Sequence, residues 1–550
     1  MTYYVYAFEA KDIQEYILER TRLAEMMGAS GLIDAICSAM LDAALSALAL
    51  ADKRDFHTAR RGGGGFTLVF QKAEPAHALR DLISLIMPQF APDLPFVHAI
   101  GDDRDERLAI EAALRQLPIA QQQPVLPLPL ATPPLHRAPR TGLPAWGHFP
   151  KVDGEAIDRA ALAKRRFTQD RLGKKFSLGD DSTVWPRNLN PNDLNPNDPG
   201  ASAENLFPFH NANHRVAIVH IDGNGFGQAL QDIRTATNNS SGEQAITVEF
   251  AFSQLVEAMS CEAAQEATME VLLDQAVATE QETSIMPARP LVLGGDDLTM
   301  ILRADLALDF VEHYMRAFER ISAAKIKEFA KHHQGIKPKT HCMTTCAGVV
   351  FVGAKRPFDR AYRLAEALCA EAKQCSARHA PAGGPAPSFL AFGDSTASLS
   401  CDDDVLVTSS AGTRLAGTAY HLGVISAPDA PEFDALKALK TLYVDRQAEL
   451  ARSALNDVIV QLRHDETEAE RRWKRWLAVI ARRGETGAAL RQQWQAHLAR
   501  VAPSHRADPT RTPVLERVDE RTQQRTGAFS PLGDLLAWLK AEARFNDSDT

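Results

Sequence analysis

One order of elements occurs twice in this chain, and no other feature restricts the fold as much. Residues 3–8 form a short apolar run of strand character, and helical periodicity follows over residues 12–27 and 30–50, with a break at Gly28. Residues 55–60 and 66–70 are strand-like on either side of Gly62-Gly63-Gly64-Gly65, a hairpin turn that needs no side chains. Residues 75–87 are helical, 96–100 strand-like and 103–117 helical again. The same succession restarts at residue 215: a strand over 215–221, helices over 225–233 and 247–278, and a hairpin of 290–293 and 298–302 around another glycine turn. A helix over 304–332, a strand over 344–352, a helix over 358–377 and a strand over 388–392 complete the second copy.

A repeat of that length means duplicated domains and not a solenoid. The β-α-α-β-β-α-β succession fits a ferredoxin-like sheet with helices on one face, the palm of polymerases and nucleotidyl cyclases, so the predicted class is α+β with two palms and a helical C-terminal domain. The predicted division is a first palm over 1–117, a proline-rich connector with a basic segment over 118–205, a second palm over 206–430 and a helical domain over 431–550. The connector holds two loop-like stretches, 118–150 and the Asn, Pro and Asp-dense 188–200. Between them, residues 159–175 carry seven basic side chains against one acidic, read first as a solvated helix face and second as the place where RNA would bind. Trp473, Trp476 and Trp538 sit at helical spacing and are read as packing residues.

Composition narrows the function classes. A chain of 550 residues with 45% apolar and 24% charged side chains folds, and its net charge of −9 argues against a protein that coats nucleic acid. Seven scattered cysteines without a CxxC pair fit a reducing compartment and leave structural zinc unexpected. The N-terminus runs into a strand pattern without a basic leader, and the most apolar stretch, 35–51, is interrupted by Asp42 and shorter than a membrane span needs. The expectation is a cytoplasmic protein with no membrane contact.

The second copy carries the chemistry. Asp222 ends the strand that begins at Arg215, Gly223-Asn224-Gly225-Phe226-Gly227 leads into a helix, and Gly294-Gly295-Asp296-Asp297 forms the tip of the next hairpin. In such a sheet the first strand lies beside that hairpin, so the carboxylates converge on one edge. Hard oxygen ligands of this kind suit Mg²⁺ or Mn²⁺, and two such ions can activate a hydroxyl while stabilising a leaving pyrophosphate. The glycines turn backbone N–H groups towards a triphosphate at a helix N-terminus. Taken singly, GGDD is a good hairpin turn and Asp222 a helix cap; together they point to a metal-dependent nucleotide site. Lys373, on the helix after the strand 344–352, is a further candidate phosphate contact.

These residues resemble a known family. Phe8-Glu9, Ile13-Gln14-Glu15-Tyr16-Ile17, Gly28-Ala29-Ser30 and the hairpin from Gly62 resemble the first palm of the large polymerase/cyclase subunit of type III CRISPR effector complexes. Asp222 to Gly227, Gly294 to Asp297, Ala347-Gly348 and Ala372-Lys373 resemble its second palm, which is related to GGDEF cyclases. The resemblance implies synthesis of a cyclic oligonucleotide from ATP or another nucleoside triphosphate as an antiviral messenger. By carry-over, Asp222, Asp296 and Asp297 are catalytic and bind two ions, with Ile221 beside them in the metal set. Gly223, Asn224, Gly225, Phe226, Gly294, Gly295 and Lys373 would hold nucleotide in the second palm, and Gly63 and Gly64 in the first. RNA and effector-complex subunits are the implied partners. The chain departs from the family pattern at Asn224, where relatives commonly carry a third acid, and at 175–179, where they often carry zinc cysteines; relatives often begin with an HD nuclease domain, and because the palm pattern starts here at residue 3, cleavage of single-stranded DNA by such a domain is not expected. A catalytically silent nucleotide-binding scaffold is therefore the alternative to the enzyme.

Overall fold

The computed structural model describes all residues except 1, 19–21, 123–135, 150–154, 168–170, 177–182, 190–206, 210–213, 239, 241, 279–282, 334, 395–412, 415–417, 447–449, 451, 463, 504–507, 509–510, 519–524 and 543–550. The Asn- and Pro-rich stretch of the connector lies almost wholly outside the described residues, as does much of the proline-rich one.

In the first palm, strands Tyr3–Ala10, Phe56–Gly62, Gly65–Phe70 and Phe96–Asp103 form one antiparallel sheet with the first strand in the interior, in the order second, third, first, fourth. The second palm repeats that order with Arg215–Asn224, Ala288–Gly294, Asp297–Arg303 and Thr344–Gly353. It then adds Phe389–Asp394, parallel to its neighbour, and the short strand Ala419–His421. Identical order in both sheets is what a duplication predicts.

Helices cover both faces of each sheet, where one face was expected. In the first palm Tyr6, Phe8, Phe66 and Leu68 pack against the helices Leu23–Ala47 and Ala73–Phe90, while Val5, Ala7 and Val69 pack against Glu106–Gln121. Strand alternation leaves both faces apolar, so each needs cover. In the second palm Ala217, Val219 and Ile221 face the core shared with Gly242–Ala267 and Ala307–His332, and Val216 and Ile218 face Phe358–Arg378 and the first palm. One continuous core thus joins the two palms, and another joins the second palm to the C-terminal helices.

The expected helix break at Gly28 does not occur. The chain forms a short helix, Ile13–Leu18, and then one helix over Leu23–Ala47 that runs straight through Gly28 and contains a π turn at Ile36–Met40. Gly28 is a packing site: a Cβ there would stand 1.7 Å from the Lys164 carbonyl oxygen. This helix also corrects the expectation that the apolar stretch is too short to span a membrane. It is long and apolar enough by length and composition, and 67% of its most apolar window is buried in the protein.

The basic segment is a solvated face only in part: Arg166 and Lys174 are exposed, but Lys164 and Arg165 are not. Helix Arg159–Arg166 docks on the first palm, and Lys164 is fully buried, donating to the Tyr16 carbonyl at 2.6 Å with its ammonium 3.7 Å from the Tyr16 ring centroid. Arg165 is bound to buried Glu25 at 2.6 Å. These charges are spent on holding the connector in place.

The C-terminal region contains the helices Phe433–Asp445, Arg452–Leu462, Glu466–Ala481 and Gly484–Val501, but also the antiparallel strands Leu515–Val518 and Arg525–Phe529, which the periodicity did not reveal. Trp473, Trp476 and Trp538 are buried, as packing residues should be, and Trp473 stacks on Trp476 with centroids 4.9 Å apart. The long helix of the second palm spans Gly242–Ala267 and ends in a π turn, short of the expected residue 278.

Candidate functional site

The strand Arg215–Asn224 is buried on both faces until it reaches Asp222, where the sheet edge opens. Asp297 begins the neighbouring strand, paired across the hairpin with Gly294, and Gly295 and Asp296 are the two turn residues. Gly295 takes φ +63° while Asp296 does not, the pattern of a turn with glycine at its first central position. Ser260 holds this turn from below, its hydroxyl donating to the Gly295 carbonyl at 2.6 Å. The result is that one carboxylate oxygen from each of Asp222, Asp296 and Asp297 lies within 4.8 Å of the others. Gly223 permits the approach: a Cβ there would lie 2.5 Å from the Asp296 Cβ.

Three carboxylates this close repel one another. Burial first, and then the charges of Asp222 and Asp296, push the Asp297 carboxyl up to about 8. Asp296 is raised too, by burial foremost and then by the charge of Asp222. Lys373 is the cation in the cluster, ion-paired with Asp222. It sits beside the acids, bound to one of them. The donor set fits a hard divalent cation: all ligands are carboxylate oxygens, converging and short of counter-charge. Ile221 has only its backbone carbonyl to offer, because its side chain is buried in the core.

Asn224 does not join the acids. Its amide nitrogen donates to Thr344 Oγ1 at 3.0 Å, with Cys346 Sγ at 3.3 Å and Ser376 Oγ at 3.4 Å, so it ties the strand to its neighbour and to the helix Phe358–Arg378. Gly225 follows with φ +79° and caps helix Phe226–Ala236. Phe226 lies parallel to Phe252, centroids 6.5 Å apart.

The two glycine hairpins border one interdomain cleft, divided into two cavities that share Gly62, Gly63, Glu257 and Gly294. The first, about 840 Å³, is walled by the first palm's two opening helices and by Tyr362 and Glu366 of the second palm. The second, about 880 Å³, is walled by the corresponding helices of the second palm and by Arg107 and Arg115 of the first. The palms thus face each other as a pseudo-twofold pair, each filling in the other's site. Matching backbone turns fix the correspondence: Asp12, at φ +49°, and Gly225 both precede the first helix of their palm, and their carbonyls accept from Tyr16 N and Ala229 N. Counting back, Glu9 stands where the second palm has Asp222, and it is paired with Lys11 at 2.8 Å. Gly63 and Gly64, both at positive φ, occupy the first palm's turn where the second has Gly295 and Asp296.

The cavities differ in charge. Five arginines, Arg60, Arg61, Arg107, Arg115 and Arg234, line the second against four carboxylates, Asp296 among them. Eight carboxylates, Asp297 among them, line the first against three basic side chains. Sequence reasoning missed these arginines, Glu257, Ser260 and Tyr362. None lies in a motif, and only the packing of the palms brings them to the cleft. Lys175, from the basic segment, also reaches it and bridges Glu257 at 2.9 Å and Asp34 at 3.3 Å.

The family model described as Cas10/Cmr2, second palm domain, matches residues 215–382. No curated protein matches the chain. Among solved structures, similarity is found to a Csm1-Csm4 cassette in complex with cA4, with 12% identity over 88% of this chain and 65% of that chain and a TM-score of 0.46. A Csm1-Csm4 cassette in complex with pppApA gives 13% identity over 98% and 69% and a TM-score of 0.47. Csm1 in T. onnurineus gives 13% over 68% and 51% and a TM-score of 0.35. Residues 215–382, the stretch that carries all three carboxylates, thus match the second palm domain of the Cas10/Cmr2 family.

Proposed function

We propose that the chain joins nucleoside triphosphates, ATP foremost, into a cyclic oligonucleotide with release of pyrophosphate, as an enzyme of antiviral defence. The observation that carries this reading is the position of the acidic cluster: Asp222, Asp296 and Asp297 converge at the seam between two cavities of nucleotide size, each built from both palms. One nucleotide in each cavity would bring a ribose hydroxyl and an α-phosphate to the same carboxylates. Asp222, Asp296 and Asp297 would hold Mg²⁺ or Mn²⁺, which when bound supply charge stabilisation for the attacking hydroxyl and the leaving pyrophosphate. The arginines of the second cavity suit a triphosphate, whose charge they offset, and the backbone N–H groups at the start of helix Phe226–Ala236 add anion donors. Phe226 and Leu230 in the same cavity supply an apolar wall for a base. Lys373 holds Asp222 in place and is near enough to the acids to move to phosphate when cations neutralise them. Assembly with RNA and with other subunits of an effector complex belongs to the same proposal.

The test is incubation of the full chain with each nucleoside triphosphate and Mn²⁺, with and without candidate activating RNA, read by pyrophosphate release and mass spectrometry. Metal-dependent cyclic product from the wild type and none from Asp296→Ala/Asp297→Ala supports the reading. Nucleotide binding without product from either protein would establish the scaffold instead.

A further inference from the structure

The correspondence between the palms exposes one side chain that makes the two cavities unlike. Gln14 lies on helix Ile13–Leu18 and lines the first cavity. Its counterpart in the second palm, counting from the matched turns at Asp12 and Gly225, is Gly227, beside which a Cβ would meet nothing within 4 Å. The Gln14 Oε1 accepts a hydrogen bond from the hydroxyl of Tyr362, which comes from the second palm and also lines that cavity. Among the described residues the Gln14 amide nitrogen has no hydrogen-bond partner.

Tyr362 is itself well held. It is 6% exposed, and its ring stands edge-on to His220 with centroids 5.6 Å apart. His220 Nδ1 is 3.1 Å from Thr299 Oγ1. His220 precedes Asp222 by two residues on one strand, so both side chains share a face of the sheet. The tyrosine is therefore fixed relative to the acidic cluster, and through one hydrogen bond it fixes the glutamine of the other palm. With the carbonyl end of the amide engaged, both N–H donors are left for whatever fills the cavity.

We infer that Gln14 is a ligand contact of the first cavity, donating to an acceptor atom of the nucleotide's base or ribose, and that Tyr362 is a positioning residue that orients it across the palm boundary. The inference rests on the nucleotide reading above and deepens it: the nucleotide of the first palm is recognised by a neutral side-chain donor that the second cavity lacks at the corresponding place. A neutral donor suits a cavity lined mostly by carboxylates, where a further cation would be drawn into ion pairs with the protein.

The experiment is calorimetric titration of the full chain with a non-hydrolysable ATP analogue and Ca²⁺, for the wild type, Gln14→Ala, Tyr362→Phe and the double variant, with melting temperatures measured alongside. Two binding events are expected for the wild type. Gln14→Ala should weaken one of them about threefold to tenfold, the usual worth of a hydrogen bond, and leave the other unchanged. Tyr362→Phe keeps the ring and its contact with His220, and should weaken the same event. In the Gln14→Ala background it should add nothing further, because the tyrosine acts through the glutamine. A merely structural role would lower the melting temperature and leave this pattern absent. Two wild-type events that Gln14→Ala leaves unaltered would overturn this inference and spare the nucleotide reading. An equal loss from Tyr362→Phe with and without Gln14 would remove the tyrosine's assigned role. No binding by the wild type would overturn both readings. Repeating the titration with 2′-deoxy and 7-deaza analogues assigns the acceptor to ribose or base.

Discussion

The acidic cluster makes a prediction that does not depend on catalysis. In the folded chain the Asp297 carboxyl is pushed up to about 8 from 3.8, chiefly by burial and then by Asp222 and Asp296. The folded protein therefore holds a proton that the unfolded chain has released, and stability is lost as pH rises from about 4 towards 8 and is flat above that. At about 1.36 kcal/mol per pKa unit the full window bounds the effect at about 6 kcal/mol; water at the hairpin tip brings the expected difference to about 1–2 kcal/mol. Asp297→Asn removes the titration, so it should melt roughly 1–2 °C above the wild type at pH 8 and approach it near pH 4. Mn²⁺ should reverse the order, raising the wild type's melting temperature and leaving the variant's nearly unchanged, because the ion binds the native carboxylates and stabilises by linkage. The assay is thermal unfolding across pH, with and without Mn²⁺. If the variant melts below the wild type at pH 8, or gains as much from Mn²⁺, the carboxylates are not a repelling cluster awaiting cations and the reasoning fails.

Three further outcomes follow from other contacts. Asn224→Asp, which restores the family's third acid, should lower stability by about 1–3 kcal/mol, because position 224 is turned towards Thr344, Cys346 and Ser376 and would bring a charge there; thermal melts decide, and a gain of activity would refute that orientation. Gly28→Ala should cost about 1–3 kcal/mol and expose the connector to proteolysis, since the added methyl meets the Lys164 carbonyl; unchanged melting and cleavage would show that the connector helix can move aside. Lys373→Ala should change stability by less than about 1 kcal/mol, as both partners of its ion pair are a third exposed, yet should lower kcat/KM for nucleotide; equal kinetics would remove Lys373 from the site.

Sequence alone determined the duplication, because alternation and helical period are local properties that each segment shows by itself. It also determined the acids at Asp222, Asp296 and Asp297, because hairpin geometry and strand adjacency follow from a known element order. Most element positions were legible to within a few residues for the same reason. The readings that failed involve residues whose role is set by distant neighbours. Gly28 looks like a helix breaker until the Lys164 backbone is found against it, and the cost of glycine in a helix is smaller than that of the clash it avoids. Lys164 and Arg165 look solvated until Tyr16 and Glu25 are seen to take them. Asn224 looks like a weakened metal ligand until its amide is seen bound to the next strand and helix. The cleft itself, with its arginine-lined half and its Gln14–Tyr362 bond across the palms, is decided wholly by how the two sheets dock. Docking is set by the shape and burial of whole apolar faces, a long-range sum over residues far apart in the chain, and periodicity in a short window carries no record of it.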